Sequence, residues 1–107
     1  MAGSWDTDLI LVAIEGDVEP GMTLPLDPER PVNIGRSSKG LQLPDPLVSI
    51  HHAEIGFEAR RGYFVKDLDS ATGTWVDEEL IQNDSRPIGI GTRLRFGESV
   101  FEVRVQR

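Results

Sequence analysis

The chain has 107 residues, with 11 Lys and Arg against 18 Asp and Glu, a net charge of −7 and no cysteine. That length makes one domain with a single core, and the missing cysteines exclude disulfides and thiolate metal sites, which fits a reducing compartment. The acidic balance argues against a duplex nucleic-acid binder, whose phosphate contacts need a basic face.

In chain order the pattern is strand, turn, strand. Leu9 to Ile14 is an apolar run suited to a buried strand, and Gly16-Asp17 with Pro20-Gly21 marks the turn after it. Met22 to Leu26 alternates, and Pro25 within it points to a sheet edge. Val32 to Ile34 is short and stops at Gly35; Leu41 to Leu43 alternates and stops at Pro44. From His52 to Ala59 the residues Ala53, Ile55 and Phe57 share one face, with His52, Glu54, Gly56 and Glu58 on the other. Arg60-Arg61-Gly62 reads as a hairpin turn into Tyr63 to Leu68. Trp75-Val76 and Leu80-Ile81 flank an acidic turn, Asp77-Glu78-Glu79. Thr92 to Phe96 alternates with Arg93 and Arg95 opposite Leu94, and Gly97-Glu98 turns into Val100 to Val105.

No window carries a sustained helical period with caps, and no repeat, linker or low-complexity stretch divides the chain. Short strands punctuated by Gly, Pro and Asp predict an all-β sandwich or barrel, one domain over residues 1–107 with its core at about 8–105 and fraying ends. No apolar run reaches membrane-spanning length, and Met1 to Asp6 has neither the charged nor the apolar region of a signal peptide. The expectation is a monomeric intracellular domain with no membrane insertion.

One arginine, one serine and a glycine loop fall in three turns. A guanidinium presents a planar fork of donors that matches phosphate oxygens, so Arg36 is a candidate anion contact; the other reading is a surface arginine paired with Asp45 or Asp69. Ser49 has a hydroxyl able to donate to the same anion or to cap its own loop. Ser37, Ser38 and Lys39 follow Arg36 and either add hydroxyls and a cation to the rim or form a solvated turn ending at Gly40. His51 and His52 are adjacent on a strand start and point to opposite faces, so they do not chelate one metal, and no third ligand is spaced to help. His52 reads as a histidine whose ring bonds loop backbone, and Trp5 and Trp75 read as packing residues.

Placed on these turns, Ile34-Gly35-Arg36, Leu41 to Pro46, Val48 to Ile55, Phe64 to Ser70, Gly73 to Val76 and Leu94 to Gly97 resemble a forkhead-associated (FHA) domain. The resemblance covers about two-thirds of the chain, in order. It implies a β-sandwich of about eleven mostly antiparallel strands that binds phosphothreonine peptides through loops at one end. Arg36 and Ser49 would then be the phosphate contacts, and Gly35, His52, Gly73 and Thr74 would match positions that shape the loops. Two residues depart from the family pattern. Ile50 stands where a polar or basic residue is usual, and Thr72 where an asparagine usually contacts the peptide backbone. A hydroxyl has shorter reach than a carboxamide and cannot donate and accept from opposite ends, so the resemblance predicts a phosphopeptide module of weakened affinity. The same two residues, with the net acidity, also suit an FHA-fold domain that binds a protein partner independently of phosphorylation.

Enzyme readings fail on inventory. The chain has no cysteine, its only histidines are the adjacent pair, and neither a Gly-x-Ser-x-Gly elbow nor a P-loop occurs. No cofactor and no metal are expected.

Overall fold

The structure is a computed structural model, and it describes residues 8–16 and 18–106. Trp5 and the fraying expected of residues 1–7 and of Arg107 lie outside the described residues; Gln106, also expected to fray, is described, and its N–H donates to the Asp8 carbonyl at 2.8 Å. Eleven strands follow one another: β1 (Leu9–Glu15), β2 (Thr23–Pro25), β3 (Val32–Gly35), β4 (Leu41–Gln42), β5 (Ala53–Glu58), β6 (Gly62–Asp67), β7 (Thr74–Val76), β8 (Glu79–Ile81), β9 (Ser85–Pro87), β10 (Arg93–Phe96) and β11 (Ser99–Val105). They form a six-stranded sheet in the order β2-β1-β11-β10-β7-β8 and a five-stranded sheet in the order β4-β3-β5-β6-β9. Every pair is antiparallel except β3 with β4. The expected all-β sandwich is therefore what forms.

The period-two pattern explains the stacking. On β11, Ser99, Phe101 and Val103 are buried while Glu102 and Arg104 face out; on β10, Leu94 and Phe96 are buried between exposed Arg93 and Arg95. Leu11, Ile34, Leu43, Val65, Leu94, Phe96, Phe101 and Val103 have no solvent exposure and fill the space between the sheets. Each such side chain contributes on the order of 1.5–3 kcal/mol relative to exposure. This core reaches the loop end of the sandwich through the Phe96 ring, which meets the His52 imidazole edge-on at 5.8 Å.

Two details differ from the expectation. The acidic turn is only Asp77-Glu78, both at positive φ (49° and 71°), and Glu79 belongs to β8. Both residues left-handed is the geometry of a two-residue hairpin turn whose twist matches its strands. The other is β9, a strand not anticipated, whose Pro87 cannot donate to a ladder. It pairs only with β6, at the sheet edge, where that donor is not required.

Candidate binding site at the loop end

Three connections meet beyond the strands: residues 36–40 after β3, 43–52 between β4 and β5, and 68–73 between β6 and β7. His52 holds two of them together. It is wholly buried. Its Nδ1 accepts the Ser49 N–H at 3.0 Å, and its Nε2–H donates to the Gly73 carbonyl at 2.9 Å. That pairing requires the neutral Nε2–H tautomer. Its backbone adds a further clasp, donating to Ile34 and accepting from Leu68, each at 2.9 Å.

Gly35 lets the first connection approach the second. A Cβ there would lie 2.0 Å from the Ile50 carbonyl oxygen, so no larger residue fits without backbone movement. The close approach lets the Arg36 N–H donate to the Ser49 carbonyl at 3.0 Å. The Arg36 side chain is exposed, and its guanidinium has no hydrogen-bond or ion-pair partner among the described residues. Neither acid considered as its partner pairs with it. Asp45 is buried, and its two oxygens accept the Leu47 N–H at 2.8 Å and the Glu98 N–H at 2.7 Å. Asp69 is exposed at a φ of 56°.

Ser49 is half-buried, and its Oγ accepts the Ala71 N–H at 2.9 Å. An accepted bond fixes the oxygen and leaves the hydroxyl proton free to donate. Thr72 differs: its hydroxyl donates to the Leu47 carbonyl at 2.8 Å, so its one proton is used within the protein. Ile50 is 48% exposed and Leu47 is 44% exposed, one on each side of Ser49 in the chain. Lys39 is exposed on the Arg36 turn and unpaired among the described residues, whereas the Ser38 hydroxyl is buried against Gly35 with no hydrogen-bond partner. His51 is exposed.

The third connection is built on Asp67, which is wholly buried. Its oxygens accept the Ser70 hydroxyl at 2.6 Å, the Thr74 hydroxyl at 2.8 Å, the Asn83 N–H at 2.8 Å and the Ser70 N–H at 3.1 Å. Burial pushes the Asp67 carboxyl up, but these four donors outweigh it and hold the group below its ordinary value. Ser70 Oγ in turn accepts the Gly73 N–H at 2.9 Å. Gly73, at a φ of 82°, turns the chain into β7 beneath the Leu80 side chain.

The structure thus brings Gly35, Arg36, Ser49, His52, Thr72 and Gly73 into one bonded junction, with Ile50 and Lys39 on its exposed turns. It sets Ser38 and Thr74 in the interior. Asp67 was not anticipated as the centre of the third connection, and Asp45 was considered only as an ion-pair partner of Arg36. The Ala71 amide has no side-chain signature at all. Chemically, the junction and its turns carry a guanidinium and an ammonium unpaired among the described residues and a hydroxyl that is an acceptor there, groups able to donate to an oxyanion. Among the described residues, no group of three His, Asp or Glu is placed to hold a metal.

The FHA-domain family model matches residues 32–97, more than half of the chain. No curated protein matches. Among solved structures, one from a study of phosphothreonine-dependent FHA domain interactions is 29% identical, with a TM-score of 0.77 over 94% of this chain and 99% of that one. EmbR of Mycobacterium tuberculosis in complex with a low-affinity phosphopeptide is 26% identical, with a TM-score of 0.79 over 99% of this chain, which spans 26% of that one. The FHA domain of an Arabidopsis thaliana hypothetical protein, at 24% identity and a TM-score of 0.83 over 94% of this chain and 88% of that one, shares the fold. With its eleven-stranded sandwich and its loop junction, the chain belongs to the FHA-domain family.

Proposed function

We propose that this domain is a non-catalytic interaction module that recognises phosphothreonine-containing peptides, with Arg36 and Ser49 as its phosphate contacts and Lys39 adding positive charge at the rim. One observation supports the reading: the Arg36 guanidinium is exposed without a partner among the described residues, on the same junction where Ser49 has a spare hydroxyl proton. Charge-assisted bonds of this kind contribute about 1.5–3 kcal/mol each, enough to offset the repulsion between an acidic domain and an anionic peptide. The relatives studied for phosphothreonine-dependent interactions and with a low-affinity phosphopeptide support this choice of ligand. Its partner is a phosphorylated protein rather than a nucleic acid or membrane, and the domain acts as a monomer inside the cell.

Affinity is reduced because Thr72 spends its proton on Leu47 and Ile50 offers none. Two forgone neutral bonds, at about 1 kcal/mol each, weaken binding about thirtyfold. Titration with phosphothreonine peptides and their unphosphorylated counterparts tests the reading. Phosphate-dependent binding that Arg36→Ala removes supports it; equal binding of both peptides, or unchanged binding by the variant, overturns it.

A second reading follows from exposed Leu47 and Ile50, which give the rim two apolar side chains, Ile50 where a polar residue is usual. Under it the loop end binds a protein partner independently of phosphorylation, and binding survives phosphatase treatment of that partner.

A further inference from the structure

The outer face of the six-stranded sheet carries a second surface that joins the loop junction. Leu80, 46% exposed, lies across Gly73, where a Cβ would meet its Cδ1. The Gly73 carbonyl is the one His52 holds, and the residue before it, Thr72, is latched to Leu47. Leu80 is therefore the point at which the binding loops pass onto the sheet face. From there, register places one row across four strands: Leu80 opposite Trp75, Trp75 opposite Arg95, and Arg95 opposite Val100. Directly opposed residues put their side chains on the same face. At the usual strand spacing this row runs about 14 Å, the length of about four extended residues.

The row is concave. A cleft of about 430 Å³ is lined by Trp75, Arg93, Arg95, Val100, Glu15 and Glu78. Its charges are ordered. Arg93 and Arg95 both stand on β10, in the middle, while Glu78 comes from the β7–β8 turn and Glu15 from the end of β1, at the margins. The Arg95 Nε donates to the Gly97 carbonyl at 2.9 Å, which aims the side chain and leaves its terminal nitrogens without a partner among the described residues. The Arg93 Nε lies 3.5 Å from Glu102, and Glu102 also holds Arg104 at 2.7 Å.

We propose that this cleft is an extension of the binding site, taking the stretch of the phosphorylated partner that continues past the phosphothreonine. The stretch it fits has an apolar residue to lie on Leu80, Trp75 and Val100 and a carboxylate to meet Arg95, with no second carboxylate against Glu15 or Glu78. The proposal rests on the phosphothreonine reading, because the occupant is tethered by the phosphate at Arg36 and Ser49. The tether makes the second contact intramolecular, so a modest cleft adds affinity at high effective concentration.

The test uses the Trp5→Phe chain, in which Trp75 is the only tryptophan. Phosphothreonine peptides are selected on it from a pool with about ten degenerate residues on each side of the phosphothreonine, a length that exceeds the row. The selected peptides are remade at full length and trimmed to about three residues on each side. The full-length forms should bind about five- to tenfold more tightly, a gain typical of one well-placed apolar contact, and should shift Trp75 fluorescence, which the trimmed forms leave unchanged. Leu80→Ser and Arg95→Glu, both at exposed side chains, should bring full-length peptides down to the trimmed affinity and leave the trimmed affinity as it was. Equal affinity at both lengths with a silent Trp75 overturns the cleft while the phosphothreonine reading stands. Capture that ignores the phosphate overturns both. Sedimentation showing a dimer that Leu80→Ser dissociates assigns the face to a second copy and also overturns the proposal.

Discussion

The Thr72 hydroxyl donates to the Leu47 carbonyl at 2.8 Å, across 25 residues of sequence. This bond latches the β6–β7 connection onto the β4–β5 connection, and it is made with the one proton that would otherwise reach a peptide. Replacing Thr72 by Val should cost about 1 kcal/mol of stability, because the Leu47 carbonyl loses a partner but remains close to water. Thr72→Asn should raise phosphopeptide affinity about fivefold, since a carboxamide can accept and donate at longer reach. Urea unfolding checks the first outcome and fluorescence polarisation the second.

Arg36→Ala should abolish phosphate-dependent binding and leave thermal stability within about 0.5 kcal/mol, because the guanidinium makes no bond within the described protein. Arg36→Lys should retain part of the affinity, keeping the charge and losing the two-pronged fork. Calorimetry of the peptide titration together with thermal melts of both variants separates the binding effect from folding.

His52→Ala should destabilise the fold by about 3 kcal/mol. It opens a cavity beside Phe96 and strands two backbone groups, the half-buried Ser49 N–H and the buried Gly73 carbonyl. Chemical denaturation measures this. A variant as stable as the parent would mean that water enters and satisfies both groups.

Asp67 makes stability pH-dependent with a definite sign. Its carboxyl is held low in the folded state by the donors of Ser70, Thr74 and Asn83. The stability it contributes is present above the ordinary carboxylate range and is lost as pH falls below that range, through the lowered folded value. Asp67→Asn should be less stable at neutral pH by about 2–4 kcal/mol, since the amide turns a donor toward donors. It should also show a shallower fall of the urea midpoint between about pH 5 and pH 2.

Gly35→Ala should disturb binding as well as stability. The added methyl meets the Ile50 carbonyl oxygen, and moving that carbonyl shifts both Ser49 and Arg36. A loss of about 2 kcal/mol or more is expected, with phosphopeptide binding weakened beyond what the change in folded fraction explains; parallel unfolding and titration curves decide it.

Strands whose two faces differ were legible from alternation, because a side chain one residue further along points the other way. Thus Leu94 and Phe96 against Arg93 and Arg95 located β10 and its orientation at once. β9 was not legible, since Ser85-Arg86-Pro87 has neither alternation nor β propensity and pairs only because β6 needs an edge partner. In the loops, Arg36, Ser49 and His52 were legible as residue types suited to an anion or a backbone clasp. Asp45, weighed as an alternative partner of Arg36, is instead buried and bonded to backbone amides. One of its partners, the Glu98 amide, lies 53 residues away beside the other sheet.

The sequence by itself determined the all-β class and the order of most strands, because turn chemistry and alternation are carried by near neighbours, and its ordered motifs carried the resemblance to the family. Only the tertiary structure decided which polar groups remain available. Whether a hydroxyl or guanidinium faces a ligand or the protein depends on what the stacked sheets bring beside it. Here they bring Leu47 to Thr72, Ala71 to Ser49 and nothing described to the Arg36 side chain.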